Sequence, residues 1–213
     1  MSIEQAIIEG CARLNLRLPA GAAARMAAYL TLLERWNRAY NLTAVREPEA
    51  MVIRHLLDSL SILPWLEGPR VLDVGSGAGL PGIPLAIARP EMEFCLLDSN
   101  GKRTRFLTQA VAELCLANVG VVRGRVEDYQ PATLFNSVVS RAFATLVDLV
   151  ADAGRLCAPE GRLLAMKGIY PDDELARLPT GYWVIGVYPL QVPDLDAERH
   201  LVHLAPVSPA AGG

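Results

Sequence analysis

The chain has almost no lysine: of 20 Lys and Arg residues only Lys102 and Lys167 are Lys, so either one stands out against an Arg-rich background. It has no uninterrupted apolar run near the ~20 residues of a membrane helix, which excludes a spanning helical segment. Its opening residues, MSIEQAIIEGCARLNLRL, mix charges of both signs into the apolar positions and lack a signal-peptide layout. The four cysteines, Cys11, Cys95, Cys115 and Cys157, form no CxxC pair and are too widely spaced for a zinc knuckle. They read as reduced, mostly buried thiols of a cytoplasmic protein, with no metal expected. There is no excess of positive charge either. The net charge of −3 argues against an overall basic nucleic-acid binder, though not against a local basic face. What is present is 213 residues, 52% hydrophobic and 20% charged, enough for one domain or one domain with an appendage, and too apolar for disorder.

Two patterns divide the chain, giving an N-terminal helical segment at 1–65 and a second unit at 66–213. Ile3, Ile7, Ile8, Cys11 and Leu14 recur at helical spacing, as do Met26, Tyr29, Leu30, Leu33 and Trp36. Glu47-Pro48-Glu49 marks a third helix start, carrying Met51, Ile53, Leu56, Leu57 and Leu60. After Gly68-Pro69 the period changes. Short apolar runs at 71–74, 94–97, 119–122, 135–139 and 163–166 alternate with helical stretches, among them 102–116 and 143–156. Strands alternating with helices predict an α/β fold with a mostly parallel sheet covered on both faces. The end departs from that rule. The segment QVPDLDAER between runs 182–190 and 200–204 is too short for a crossover helix, so these two strands are expected to be antiparallel. The Pro/Ala/Gly tail at 206–213 is expected to fray.

The first strand ends in Asp73-Val74-Gly75-Ser76-Gly77-Ala78-Gly79-Leu80. Gly75 and Gly77 permit a tight turn and close approach of a ligand. A dinucleotide fingerprint would need Gly at 80, where this chain has Leu; the third glycine comes one residue early, at Gly79. The D-x-G-x-G-x-G spacing resembles the first motif of class I S-adenosylmethionine (SAM) methyltransferases, with Asp73 expected near the cationic amino-acid end of SAM. The second strand ends in Asp98, whose carboxylate is expected beside this turn, where two acceptor oxygens suit a ribose diol. Ser99 or Asn100 there can equally cap the next helix. The loop Arg125-Val126-Glu127-Asp128 is a candidate reader of an adenine edge.

Other groups carry less. His55, Asp58 and Ser59 have the residue types of a hydrolase triad but lie within five residues on one predicted helix, so packing and a helix-face hydrogen bond are the expected roles. His200 and His203 have no third ligand in view. Trp36, Trp65 and Trp183 are expected in the core or between segments. Lys102, Arg103, Arg105, Arg123 and Arg125 form a basic cluster without nearby compensating acids in sequence; in an acidic chain that is where a polyanion such as RNA would be held.

Longer stretches extend the resemblance: Trp36-Asn37-x-x-Tyr40-Asn41-Leu42-Thr43, RHLLDSL at 54–60, DVGSGAGLPGIPLAI at 73–87, LLDSNGKR at 96–103, SRAFA at 140–144, MKG at 166–168 and LQVPDLDAERHLV at 190–202. Together they resemble the bacterial small-subunit ribosomal RNA guanine-N7 methyltransferase family (RsmG, also called GidB). The resemblance implies a class I Rossmann-like methyltransferase domain over 66–213, and binding of SAM (product S-adenosylhomocysteine) by Gly75, Leu80, Val126, Glu127 and Arg141. It also implies methyl transfer to N7 of a guanine in the decoding region of 16S rRNA, free or within the small subunit, with no membrane partner. Guanine N7 bears a lone pair and no proton, so attack on the methyl group needs no general base. SRAFA lacks both the Asn/Asp-Pro-Pro-aromatic loop of exocyclic-amine enzymes and the cysteine of pyrimidine C5 enzymes. Arg141 and Lys167, at the predicted ends of the fourth and fifth strands, are the expected catalytic-site residues, orienting the guanine. A small-molecule or ribose 2′-O methyltransferase remains an alternative on the same fold, as does a non-catalytic RNA-binding assembly factor.

Overall fold

The computed structural model describes residues 2–141, 143 and 145–207. Ser2 caps α1 (Ile3–Arg13), its hydroxyl accepting from the Gln5 amide at 3.1 Å. Helix α2 (Ala22–Tyr40) follows, burying Met26, Tyr29, Leu30 and Leu33 at helical spacing. Pro48 opens α3 (Pro48–Met51), which runs into a π-helical turn at Val52–Leu57 and then α4 (Asp58–Leu60). The single regular helix expected after Glu47 is therefore interrupted. Its widened turn carries Arg54 and His55, and Asp58 follows directly.

The rest alternates: β1 (Arg70–Val74), α5 (Gly82–Ala88), β2 (Glu93–Asp98), α6 (Gly101–Glu113), β3 (Val119–Arg123), β4 (Phe135–Ser140), α7 (Leu146–Ala153), β5 (Cys157–Lys167), α8 (Asp172–Leu175), β6 (Tyr182–Pro189) and β7 (His200–Pro206). They form one seven-stranded sheet in the order β3-β2-β1-β4-β5-β7-β6. Strands β1 to β5 pair in parallel, and β7 is antiparallel to both β5 and β6. The order reverses between β1 and β4, the crevice where doubly wound folds place ligands. Side chains alternate across the sheet. Val71, Phe94, Leu96, Val139, Leu164 and Leu201 pack with α5, α6 and the N-terminal helices in one continuous buried cluster. Leu72, Leu97, Val138, Leu163 and Val202 face α7, which buries Leu146, Leu149, Val150 and Ala153 against them.

Several expectations are corrected. Helix α6 stops at Glu113 rather than 116, and Cys115 beyond it adopts a left-handed φ of 51°. Helix α7 starts at Leu146 rather than 143 because the Thr145 hydroxyl accepts from the Asp148 amide and caps it; Ala144 lies outside the described residues. Trp36 packs on Phe106 and Trp65 on Tyr188, but Trp183 sits on the sheet edge, 62% exposed. Cys11 and Cys157 are buried, whereas Cys95 is intermediate and Cys115 exposed; all four are free thiols. Of the tail expected to fray, Pro206 is the end of β7 and the Val207 amide bonds to the Gly181 carbonyl; residues 208–213 lie outside the described set.

Candidate functional site: a glycine turn beside a cation-lined cavity

The turn after β1 is held from several sides. The amides of Gly75 and Ser76 donate to the Leu97 carbonyl on β2, and Gly75, Gly77 and Gly79 have φ of 70°, 58° and 88°, which side chains disfavour. From α2, the fully buried Tyr29 hydroxyl donates to the Ala78 carbonyl at 2.6 Å, and burial pushes its pKa far up. A Cβ built on Gly77 would meet nothing nearer than the Gly75 carbonyl oxygen at 3.8 Å, so the outer face of the turn is open.

Asp98 ends β2 beside this turn, 4% exposed. Its Oδ2 accepts from the Gly77 amide at 2.9 Å and its Oδ1 from the Asn100 amide at 2.8 Å; the Arg103 guanidinium lies 3.4 Å from Oδ2. The capping of α6 falls to Asn100, which accepts from the Lys102 and Arg103 amides, so Asp98 is not the cap. Beyond β3, residues 125–129 form a tight turn whose outward carbonyls are gripped by Arg155: its Nη2 donates to Val126 O at 2.7 Å and Glu127 O at 2.8 Å. The Glu127 carboxyl is held below its ordinary pKa by its own backbone amide and by Arg125. Two lobes of about 180 and 240 Å³ meet at Gly75 and Arg103. One is lined by Asp98, Val126, Glu127 and Phe143, the other by Thr43, Gly77, Leu80 and Arg141.

Asp73 is placed differently from expectation. It is fully buried beneath the turn, Oδ2 accepting from the Gly82 amide at 2.9 Å, and its Oδ1 has no partner among the described residues. It braces the start of α5 and does not face the lobes. Burial raises its pKa from 3.8 to about 7.

A second cavity of about 380 Å³ lies at the carboxyl edge next to β4 and β5, lined by Arg54, His55, Asp58, Arg141, Lys167 and Arg199 among others. At its floor Asp58, 1% exposed, bridges two arginines: Arg141 Nη1 at 3.1 Å and Arg199 Nε at 3.0 Å. The Lys167 ammonium lies 2.8 Å from Glu174, which also accepts from the Leu146 amide. His55 Nε2 is 2.9 Å from the Thr43 hydroxyl, and burial depresses its pKa to about 4, so the ring is neutral. Its Nδ1 has no partner among the described residues. Arg141 lines both this cavity and the glycine lobe.

Arg141 and Lys167 thus come together as the sequence suggested. Arg54, His55, Asp58 and Arg199 were not anticipated as site residues. His55 and Asp58 stood out only as residue types of a triad, and Arg54 and Arg199 by no local pattern; the signal common to all four was that they fall within stretches resembling the family, RHLLDSL and LQVPDLDAERHLV. His55 and Asp58, expected to pack and to bond on the helix face, are both buried, but their bonds run off the helix: His55 to Thr43 and Asp58 to two arginines. All five residues of the basic cluster are exposed; Arg103 reaches Asp98, Arg125 pairs with Glu127 at 3.2 Å and Arg123 lies over Gly101, while Lys102 and Arg105 on α6 have no carboxylate partner among the described residues. Among the described residues no group of three His, Cys, Asp or Glu could hold a metal.

The donor set suits SAM: the Asp98 carboxylate for a ribose diol, apolar walls at Leu80, Val126 and Phe143, and an open glycine turn. Solved structures share the fold. A glycopeptide N-methyltransferase complexed with SAM superposes with a TM-score of 0.62 at 13% identity, covering 72% of this chain and 87% of that one. A SAM-dependent methyltransferase from Aquifex aeolicus gives 0.59 at 18%, covering 71% and 91%. Curated relatives are far more similar. The ribosomal RNA small subunit methyltransferase G of Nitrosococcus oceani is 55% identical over 206 residues, 96% of each chain, and that of Marinobacter nauticus 56% over 197, 92% of each. With the profile for rRNA small subunit methyltransferase G (GidB) matching residues 22–202, the chain belongs to that family of SAM-dependent ribosomal RNA methyltransferases.

Proposed function

We propose that this chain transfers a methyl group from SAM to N7 of a guanine in the decoding region of 16S rRNA, acting in the cytoplasm on the RNA or the small subunit. The observation that carries the reading is Arg141, which borders both the glycine lobe and the cation-lined cavity and so stands where cofactor and target base must meet. Gly75, Gly77, Gly79, Leu80, Asp98, Val126 and Glu127 hold the cofactor, which when bound supplies an electrophilic methyl group. Residues 1–65 serve as the helical segment that lends Thr43, Arg54, His55 and Asp58 to the site, and 66–213 as the methyltransferase domain.

The chain's own side chains need only position and desolvate. N7 has no proton to lose, and His55, neutral and bonded to Thr43, is not required as a base. Guanine presents O6 beside N7, an acceptor edge that Arg141 and Lys167 attract; adenine would present an amino group there and be repelled. Positioning of this kind can contribute ~7–11 kcal/mol. The ribose 2′-O alternative needs lysines converging on one hydroxyl, but Lys102 stands on α6 and only Lys167 lines the cavity.

Undermethylated small subunits incubated with the protein and labelled SAM, then digested to nucleosides for mass spectrometry, test the reading. The expected product is 7-methylguanosine. A 2′-O-methyl or N2-methyl product overturns the N7 assignment, and saturable RNA binding without transfer supports the assembly-factor alternative.

A further inference from the structure

Strand β5 ends at Lys167 on the wall of the cation-lined cavity, and the chain continues through Gly168 on its rim to Ile169 and Tyr170. These two are 78% and 47% exposed, the former the most exposed large apolar side chain among the described residues. They are held there. The Gly168 carbonyl lies 3.0 Å from His200 Nδ1 at the start of β7, and the Tyr170 ring meets the His200 ring edge-on at 5.6 Å, 84° between planes. The Lys167–Glu174 ion pair fixes the chain on either side. An aliphatic and an aromatic side chain are therefore propped into solvent at the mouth of a cavity lined by Arg54, Arg141, Lys167 and Arg199. Another exposed apolar group, Trp183–Ile185, sits at the opposite end of the sheet, where β6 pairs with the end of β7.

We propose that Ile169 and Tyr170 form a stacking face for unpaired RNA bases flanking the target guanine. This rests on the reading of the cavity as the guanine site. The charge beside the face selects the occupant: four basic side chains suit a phosphate backbone, and bases displaced from a stack expose apolar faces needing a replacement surface. Sequence-tolerant recognition of single-stranded RNA combines these two elements, a basic track and an aromatic platform. Withdrawing a guanine into the cavity removes it from its neighbours, and the rim is where those neighbours come to lie.

The test compares the intact protein with Tyr170→Ala, Tyr170→Trp, Ile169→Ser and, as a control at the far edge, Trp183→Ala. Initial rates of methyl transfer to undermethylated small subunits give KM and kcat, and calorimetry gives SAM affinity. Tyr170→Ala is expected to raise KM for the subunit about 10-fold, within the range of one lost base stack, and Ile169→Ser to raise it less. SAM affinity stays unchanged in both, Tyr170→Trp restores KM, and Trp183→Ala has no effect. Unchanged KM in Tyr170→Ala, or a loss that Trp does not rescue, overturns the stacking face. An equal rise in Trp183→Ala also overturns it, pointing instead to a broad protein-facing surface. Failure of the N7 reading is seen separately, in the nucleoside made by the unaltered protein.

Discussion

Asp98 and Arg103 divide what the sequence had grouped with simpler roles. Asp98 holds the Gly77 amide and lines the lobe proposed to take the cofactor, so Asp98→Ala is expected to weaken SAM binding by about 1.5–3 kcal/mol, the range for hydrogen bonds to a charged group. Unchanged affinity by calorimetry in a folded variant would leave Asp98 only its brace on the turn. Arg103 reaches that same carboxylate, whereas Arg105 bonds the Gly101 carbonyl of its own helix. Charge reversal should therefore separate them. Arg105→Glu is expected to flatten the fall of log RNA affinity with log salt by about 0.7 for each phosphate no longer neutralised, at constant SAM affinity. Arg103→Glu is expected to change SAM affinity as well. Equal effects of the two on salt dependence alone would return Arg103 to the RNA face.

At the scale of elements, the regular parts of the chain were readable and the joins were not. All seven strands were visible as short apolar runs, and the missing crossover before His200 revealed the antiparallel end. The glycine turn was legible because its conformation demands residues that lack a Cβ. The bottom of the second cavity was not, because Asp58 meets Arg141 and Arg199 across 83 and 141 residues, and pairing at that range leaves no periodicity. The π turn at 52–57 was equally hidden, since apolar spacing around it still fits an ordinary helix. Asp58 ties three separate elements, so removing its charge leaves two arginines facing each other. Asp58→Ala is expected to cost about 3–5 kcal/mol, the range for breaking a buried pair. Denaturant titration checks this, and a cost below about 1 kcal/mol would show both arginines turning to solvent.

Over the whole molecule, two buried groups set opposing dependences of stability on pH. His55 is neutral in the fold with a pKa near 4 against an ordinary 6.5. As pH falls through that window the unfolded chain takes up a proton first, and stability drops. Asp73, raised from 3.8 to about 7, acts the other way. Between those values the folded chain keeps a proton that the unfolded chain has released, so stability falls as pH climbs. Burial of the whole carboxyl under the glycine turn is the physical reason. Replacing the carboxyl with an amide that cannot ionise removes only the second dependence. The stability of Asp73→Asn relative to the unaltered protein is thus expected to rise steadily from about pH 4 to about pH 7 and level off above. Each unit of pKa difference corresponds to ~1.4 kcal/mol, so the gain should reach a few kcal/mol. Denaturant midpoints for both proteins at pH 4.5, 5.5, 6.5 and 8 would measure it. A difference independent of pH would mean that Asp73 is ionised in the fold and that its charge is met by the nearby Arg141, the cation whose field lowers its pKa.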